Sequence, residues 1–305
     1  MEAIRLTESF SIVHGGAQDF LEDSGLVGHL KTLYALGFNK DGSFVEEMIK
    51  WHSSFPFRTD YFMSLEKDDP VAFNYFLSFP AANHSYYSLS GGSLTHPLSR
   101  GSFQSLFQFS CSAMLKKSSF LYGFCNQNSF PVFTHPVNRW LQLGTFRQLK
   151  LNSLAIPINV TDRLIPVTIS EIQGDRGFTT QLNRSFNFLS WRLTRNDQYR
   201  ILRNLRSNTF SIYKDFGDEV DLMCLLNCST IDQYVEEIAT LLSYLPTIKP
   251  SFSGLNIFHS FDKDEAVKRL FVIEPVQHTR YLCIRKDGID DLDNFYVEMI
   301  DSDTF

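Results

Sequence analysis

The sequence lacks the features that assign a chain to a membrane or to nucleic acid. Its 305 residues contain no apolar run near the ~18 residues that a membrane span needs, so we expect a soluble protein with no membrane partner. The N-terminus, MEAIRLTESF, lacks a basic segment followed by an apolar one, and no signal peptide is apparent. With 28 Lys and Arg against 34 Asp and Glu, the net charge of −6 argues against a nucleic-acid partner.

Cysteine is scarce and odd in number. The five cysteines are scattered, and no His lies at zinc-ligand spacing from the closest two, Cys224 and Cys228. Thiols in such a pattern are common core residues, so we expect buried free cysteines, no metal and a reducing, cytoplasmic location.

What is present is enough apolar material for a large core. The chain is 43% hydrophobic and 20% charged, which is typical of a globular protein. Its length suits one large domain or two of about 150 residues each. We predict two, residues 1–151 and 152–305, because a related order of strands and helices is found in both.

The first half alternates strand and helix signals. Residues 60–79 predict a hairpin that turns at Lys67–Pro70, and 85–97 predict a third strand with a glycine pair inside it. The other predicted elements are helices within 19–53, a helix over 103–117, a strand over 118–125, a short helix near 130–140 and a strand over 144–151. The strands on either side of the helix at 103–117 should be parallel, with a right-handed crossover.

The second half is loosely patterned at first and then repeats a related order. Residues 208–226 predict a hairpin that turns at Asp215–Asp218, and 231–245 predict an amphipathic helix capped by Ser229 or Thr230. A strand over 254–261, a short helix over 262–271 and closing strands over 279–286 and 294–300 complete the prediction. The fold class is therefore α/β (α+β), and the repeated order suggests a duplicated unit.

The stretch SLTHPLSRGSFQSLF, residues 93–107, leads from a strand into a helix and has the composition of an anion site. Backbone N–H groups at a helix start with Arg100 beside them suit a pyrophosphate, and Gly101 allows close backbone approach. The alternative is an ordinary strand-to-helix turn with a Ser cap.

The stretch FLYGFCNQNSFPVF, residues 120–133, ends a strand on amides and a hydroxyl without a Pro-Gly turn. Asn126, Asn128 and Ser129 both donate and accept hydrogen bonds, which suits a ligand that carries amides. The alternative is a polar loop that caps the next helix through Ser129.

Together these stretches resemble the GNAT superfamily of acyl-CoA-dependent N-acyltransferases, in particular the two-lobed bacterial branch that acts on nucleotide-linked amino sugars in polysaccharide and O-antigen biosynthesis. The motif residues are Thr95, His96, Pro97, Arg100 and Gly101, then Gly123, Phe124, Cys125 and Asn126, with Cys125 where Pro is usual. The likeness spans roughly 60–305 and includes Leu189-Ser190-Trp191-Arg192, Tyr199 and the terminal DSDTF.

The resemblance implies tandem GNAT-like lobes, each a mixed, mostly antiparallel sheet with flanking helices and a splayed parallel strand pair. The first lobe would bind coenzyme A or acyl-CoA as co-substrate, and the second would contribute to acceptor binding. The implied CoA-binding residues are Gly92, Ser93, Leu94, Thr95, Arg100, Gly101, Ser102, Phe103, Gln104, Asn126, Asn128 and Ser129. The sequence departs from the family pattern in the phosphate-binding turn. Either Phe103 and Ser105 replace the glycines of that turn, or the turn is two residues shorter here.

Acyl transfer needs backbone N–H groups that hold the oxyanion and a route for the proton of the amine, and a bulge in the strand could supply the N–H groups. The bulge is expected near Gly91-Gly92-Ser93. The candidate catalytic side chains are His84, His96, Asp301 and Asp303, with water or backbone groups as the alternative. In related enzymes a Tyr protonates the departing thiolate, but Phe130 and Phe133 occupy that region here.

The candidate substrate-binding residues are Arg58, Trp191 and Arg192. An aromatic ring next to an Arg suits a nucleobase or a sugar phosphate, and the alternative is a packed Trp with its Arg on the surface. The branch resemblance implies transfer of an acetyl or 3-hydroxybutanoyl group to a dTDP-linked amino sugar. The alternatives are an aminoacyl-tRNA-dependent peptide-bridge transferase and a catalytically inactive binding module. The sequence leaves open whether the protein is a homodimer.

Overall fold

A computed structural model describes residues 1–7, 9–39, 41–80, 86–155, 164–172, 185–195, 198–228, 230–260 and 268–286. The chain forms two compact units. The first comprises Met1–Gln142 and the end of the last described strand, from Cys283 onward, and the second comprises Leu143–Leu282. These units are defined by their internal contacts alone. The predicted boundary at 151/152, between a CoA-binding and an acceptor-binding domain, stays a prediction.

The first unit is a sheet covered by helices. Its elements in chain order are β1 (Glu2–Arg5), β2 (Phe10–Gly15), α1 (Ala17–Glu22), α2 (Ser24–Phe38), α3 (Ser43–Ser53), β3 (Arg58–Glu66), β4 (Asp69–Pro80), β5 (Tyr86–Thr95), α4 (Arg100–Leu115), β6 (Ser118–Cys125), α5 (Phe130–Phe133) and a 3-10 turn (Pro136–Asn138). The strand order is β1-β2-β3-β4-β5-β6, and the neighbours are antiparallel except for β5 and β6. The predicted hairpin, helices and parallel pair are confirmed, whereas the two N-terminal strands were not predicted.

The β3–β4 hairpin shows why the turn prediction holds. Lys67 and Asp68 have φ of 51° and 69°, the left-handed conformation of a two-residue type I′ turn. Both faces of β4 are covered, and every residue from Val71 to Phe79 is buried. The two buried polar residues of β4 are paired: Asn74 Nδ2 donates to Ser110 Oγ on α4 at 3.0 Å, and Ser78 Oγ lies 2.7 Å from Ser88 Oγ on β5.

The second unit repeats the arrangement. Its elements are β7 (Leu141–Leu154), β8 (Leu164–Pro166), a 3-10 turn (Ile169–Glu171), α6 (Phe186–Leu193), β9 (Tyr199–Asn204), β10 (Phe210–Phe216), β11 (Glu219–Leu226), α7 (Ile231–Ile248), β12 (Gly254–Ser260) and β13 (Phe271–Arg285). The order β7-β12-β11-β10-β9-β8 contains one parallel pair, β11 and β12, on either side of α7. A parallel pair that flanks a helix thus occurs in each unit, as the predicted duplication requires.

Helix α7 forms as its sequence predicts. Thr230 caps it by accepting a hydrogen bond from Gln233 N at 3.1 Å, and its apolar face enters the core of the second unit. The strand predicted to begin at Thr279 begins at Phe271 instead. The strand predicted over 294–300 and most of the helix predicted over 262–271 lie outside the described residues. Of the helices that the structure describes, none combines the length and the apolar character that a membrane span requires.

All five cysteines are buried free thiols, as predicted. In the first unit Cys125, at the end of β6, lies against Cys283. Burial, followed by the hydrogen bond and charge of Cys283, raises the pKa of the Cys125 thiol far above its usual value. The Cys125 thiol is therefore a core group rather than a nucleophile at neutral pH.

Candidate functional site

The parallel strands β5 and β6 separate part of the way along their length. Their register runs from Tyr86↔Ser118 to Ser90↔Gly123, and beyond this point β5 continues to Thr95 while β6 ends at Cys125. Strand β5 therefore presents one edge of its backbone to a gap after Ser90. This is the splayed pair that the sequence resemblance implied.

A bulge lies at the start of that gap. The pairing of β4 with β5 steps from Phe76↔Ser90 to Tyr75↔Gly92, which leaves Gly91 as the extra residue. A Cβ at Gly91 would lie 2.3 Å from Tyr75 Cε2, so the position accepts only glycine without movement of the ring. The predicted bulge is confirmed, and its role as an oxyanion site stays a prediction.

Helix α4 begins directly after β5. The connecting turn is held by His96 N donating to Val71 O at 2.8 Å and by Ser99 N donating to His96 O at 2.9 Å. Ser99 precedes the helix without a side-chain cap, and its carbonyl accepts a hydrogen bond from Ser102 N at 3.1 Å. The N–H groups of Arg100 and Gly101, earlier in the first turn, have no intrahelical acceptor. The side chain of Arg100 lies outside the described structure.

An open cavity of about 420 Å³ adjoins this helix start. It is lined by Leu98, Ser99, Gly101, Ser102 and Ser105, together with Phe10 and Glu66. A Cβ at Gly101 would have no neighbour within 4 Å, so the space over this residue is open. A second cavity of about 460 Å³ shares Glu66, Leu98 and Ser99 and is also lined by His96.

The two residues that follow in α4 face the protein rather than this cavity. Phe103 is 9% exposed and stacks on Phe107 with ring centroids 5.6 Å apart. Gln104 Nε2 donates to Asn138 Oδ1 at 2.6 Å. The departure from the family's glycine pattern at Phe103 therefore places the ring in the core. CoA contacts by Phe103 and Gln104 stay a prediction.

Asn126 organises the turn that follows β6. Its Oδ1 accepts hydrogen bonds from Asn128 N and Ser129 N, both at 2.9 Å, and its own N–H donates to Ser129 Oγ at 3.0 Å. The Ser129 side chain bonds back to Asn126 and makes no cap on α5, so the helix cap that the alternative described is not formed. The turn uses the oxygen of the amide, so a ligand contact by Asn126 would come from its Nδ2.

Arg58 is bound to a buried carboxylate. Its Nε and Nη2 donate to Asp60 at 2.6 and 2.9 Å, and Asp60 is 1% exposed. His14 Nε2 and Lys117 Nζ also approach Asp60 Oδ1, at 2.9 and 3.5 Å. Burial raises the pKa of Asp60, but the hydrogen bonds from His14 and Arg58 and the charges of Arg58 and Lys117 outweigh it and lower the pKa to about 2.

The sequence analysis missed a buried cluster of titratable rings next to the bulge. His52 Nδ1 and Tyr61 Oη are 2.5 Å apart, and the His52 ring lies 4.7 Å from that of Tyr75, whose hydroxyl faces Gly91. Burial, followed by the charge of Tyr75, raises the pKa of Tyr61 well above its usual value. The helical spacing of Val45, Ile49 and His52 on α3 could have predicted that His52 is buried.

The remaining site candidates are not brought together by the described structure. Trp191 and Arg192, on α6 of the second unit, are 6% and 2% exposed, so both are packed and substrate binding by either stays a prediction. His84, Asp301 and Asp303 lie outside the described residues. Within the described part of the chain, no three or more side chains are grouped as a metal ion would need.

Comparison with known proteins gives matches in structure alone. No family model and no curated protein matches the chain. A candidate acetyltransferase from Pyrococcus horikoshii is 11% identical, with a TM-score of 0.62 over 97% of this chain and 96% of its own. A conserved Enterococcus faecalis protein, an N-acyltransferase candidate, is 12% identical, with a TM-score of 0.61 over 91% and 73% of the two chains.

A third solved structure shares the two-unit organisation. A tandem GNAT protein from the clavulanic acid biosynthesis pathway is 13% identical, with a TM-score of 0.57 over 92% of this chain and all of its own. At this level of sequence identity, structural similarity shows that the fold is shared. The fold is that of the GCN5-related N-acetyltransferases, and the chain has the tandem form of it, with a GNAT-like unit in each half.

Proposed function

We propose that the protein is an acyl-CoA-dependent N-acyltransferase. The observation that carries the proposal is the sequence of elements around the gap in the first unit. Strand β5 has a bulge at Gly91, separates from β6 after Ser90 and leads directly into α4. This order supplies, within one chain segment, an oxyanion site, a strand edge for an extended ligand and a helix N-terminus for a phosphate.

The gap suits the pantetheine arm of CoA because of its free strand edge. Residues Gly92–Thr95 of β5 pair with β4 on one side, which leaves the backbone groups of their other side for a ligand that carries amides. The ligand's amides would pair there as an added strand does. Asn126 Nδ2, with Asn128 and Ser129 beside it, would contact the arm from the end of β6.

The start of α4 suits the pyrophosphate. Arg100 would supply charge, and the first-turn N–H groups of Arg100 and Gly101 would supply donors at the positive end of the helix dipole, whereas Ser102 N donates to Ser99 O at 3.1 Å. The open space over Gly101 leaves room for close approach of the phosphates. Glu66 on the cavity wall repels phosphate, and Arg100 would have to offset it.

The chemistry is attack of a neutral amine on the thioester. The amine nitrogen bonds to the acyl carbon, the N–H groups at the Gly91 bulge hold the oxyanion, and the C–S bond then breaks to release CoA. A proton must leave the amine. His96, His84, Asp301, Asp303 and water are the candidates to accept it, and His96 lines a cavity next to the start of α4.

For the acceptor we propose the amino group of a dTDP-linked amino-deoxy sugar, with acetyl or 3-hydroxybutanoyl as the acyl group. Its support is the sequence resemblance to the two-lobed branch. Arg58, Trp191 and Arg192 are the candidates for holding this substrate.

The test combines binding with turnover. Calorimetry should show that the chain binds CoA, and that Arg100→Ala weakens binding by about tenfold or more through loss of a charge-assisted phosphate contact. Arg206→Ala, at an exposed position of the second unit, is the matched control and should bind as the unmodified chain does.

Release of CoA from acetyl-CoA, followed with DTNB, should then depend on a dTDP-amino sugar. Binding without turnover on any amine would favour an inactive binding module, and absence of CoA binding would refute the proposal.

A further inference from the structure

The side chain of Tyr75 lies directly against the bulge of β5. Tyr75 belongs to β4, is 1% exposed and pairs with Gly92, the residue after the bulge. A Cβ built on Gly91 would lie 2.3, 2.6 and 2.8 Å from the Cε2, Cζ and Oη atoms of Tyr75. The hydroxyl-bearing edge of the ring therefore occupies the space that a side chain at position 91 would need.

The Tyr75 ring is packed among other buried rings. Its centroid lies 4.7 Å from that of His52 on α3 and 5.5 Å from that of Tyr61 on β3. His52 Nδ1 and Tyr61 Oη are 2.5 Å apart, and both residues are fully buried. Because side chains in such a packed cluster have little room to move, the Tyr75 ring forms a fixed wall beside the bulge.

A bulge that consists of a glycine needs such a wall. Glycine adopts a wide range of backbone conformations, so the peptides on either side of Gly91 could turn easily if nothing held them. The bulge also interrupts the regular pairing of β4 with β5 at this point. Stabilisation of an oxyanion depends on N–H donors that are already in position before the reaction. Contacts outside the local backbone must therefore hold these donors.

We propose that Tyr75 is a positioning residue for acyl transfer, whose ring holds the backbone N–H groups at the Gly91 bulge in place for the oxyanion. The inference rests on the proposed function and deepens it. The ring lies on the face of the sheet that α3 covers, so the peptides beside Gly91 cannot turn into that face. In this arrangement the ring takes the place of a side chain at position 91, and the backbone alone touches the reacting atoms.

The first measurement is NMR relaxation of a chain labelled with 15N-glycine, which needs no turnover. We expect order parameters of about 0.85 for the Gly91 and Gly92 amides in the unmodified chain, and values towards about 0.6 in Tyr75→Leu. Gly217 is the internal control, because it lies at a turn with φ of 64° and a Cβ there would have no neighbour within 4 Å. Its order parameter should be the same in both chains. A value below about 0.6 at Gly91 in the unmodified chain would refute the inference, whether or not Tyr75→Leu folds.

The second measurement is the kinetics of acyl transfer from acetyl-CoA. We expect Tyr75→Leu to lower kcat about tenfold or more with little change in the KM for acetyl-CoA, because misplaced donors weaken the transition state rather than CoA binding. Tyr75→Phe keeps the ring and should keep most of the activity. Phe73→Leu is the matched control, since Phe73 is also 1% exposed on β4 but pairs with Leu94 rather than at the bulge. It should lower thermal stability and leave kcat and the glycine order parameters nearly unchanged.

The outcomes separate the inference from the proposed function. Equal losses of kcat in Tyr75→Leu and Phe73→Leu, or unchanged order parameters in Tyr75→Leu, would show that the inference is wrong while the proposed function stands. A loss of about tenfold in Tyr75→Phe would also overturn it, because the hydroxyl rather than the ring would then be required. If the unmodified chain binds no CoA, the proposed function fails and the role in acyl transfer fails with it.

Discussion

Replacing Asp60 with Asn removes a buried negative charge that three groups, His14, Arg58 and Lys117, surround. The Asp60 pKa is lowered from 3.8 to about 2, because the contacts from His14, Arg58 and Lys117 outweigh the effect of burial. The difference between a pKa of 3.8 and one of about 2, at about 1.36 kcal/mol for each pH unit, corresponds to about 2.4 kcal/mol of stability at neutral pH. Asp60→Asn should lower the free energy of unfolding by about this amount, because the amide bears no charge.

The pH dependence gives the prediction its sign. A carboxylate whose pKa is lower in the folded state than in the unfolded state stabilises the fold fully at pH above its unfolded-state pKa. This stabilisation is lost as the pH falls through the folded-state pKa. The difference between the unmodified chain and Asp60→Asn should therefore be constant above about pH 5 and fall to about half near pH 3.

Urea unfolding monitored by circular dichroism at several pH values measures this difference. Glu46→Gln is the control, because Glu46 pairs with Lys31 and Lys50 at the surface and its loss should have little effect. A difference for Asp60→Asn that is near zero at neutral pH, or that does not decrease in acid, would refute the reasoning.

Three further substitutions have expected outcomes. Gly91→Ala should lower stability by roughly 1–3 kcal/mol in thermal unfolding, because the new Cβ would meet the packed ring of Tyr75 at 2.3 Å; unchanged stability would show that the ring can move. Gly101→Ala should raise stability by up to about 1 kcal/mol, as Ala favours the helix, yet weaken CoA binding in calorimetry, and tighter binding would place the phosphates elsewhere. Thr230→Ala should cost about 1 kcal/mol in urea unfolding through loss of the cap to Gln233, and no loss would mean that the cap contributes little.

Elements with strong local signals were predictable from the sequence. The turn at Lys67–Asp68, the change from strand to helical periodicity before α4 and the capped amphipathic α7 all depend on residues close together in the chain. The parallel pair followed from the strand–helix–strand order. The N-terminal strands β1 and β2 were missed because both are short and β1 is largely exposed.

The details of the candidate site depend on contacts between distant residues, which sequence patterns do not contain. His52 meets Tyr61 and Tyr75 only after α3 packs on the sheet. Likewise, the sequence shows several serines in β5, but only the register with β6 shows that Ser90 lies where the strands separate. Asn126 was predicted as a site residue, and its engagement in a local turn depends on backbone geometry that its residue type leaves open.

The most direct test of the account is a calorimetric titration of the full chain with CoA. The account predicts saturable binding of one CoA per chain, weakened in Arg100→Ala and in Gly101→Ala and unchanged in Arg206→Ala. Absence of saturable binding by the unmodified chain would contradict the central claim that the gap between β5 and β6 and the start of α4 form an acyl-CoA site.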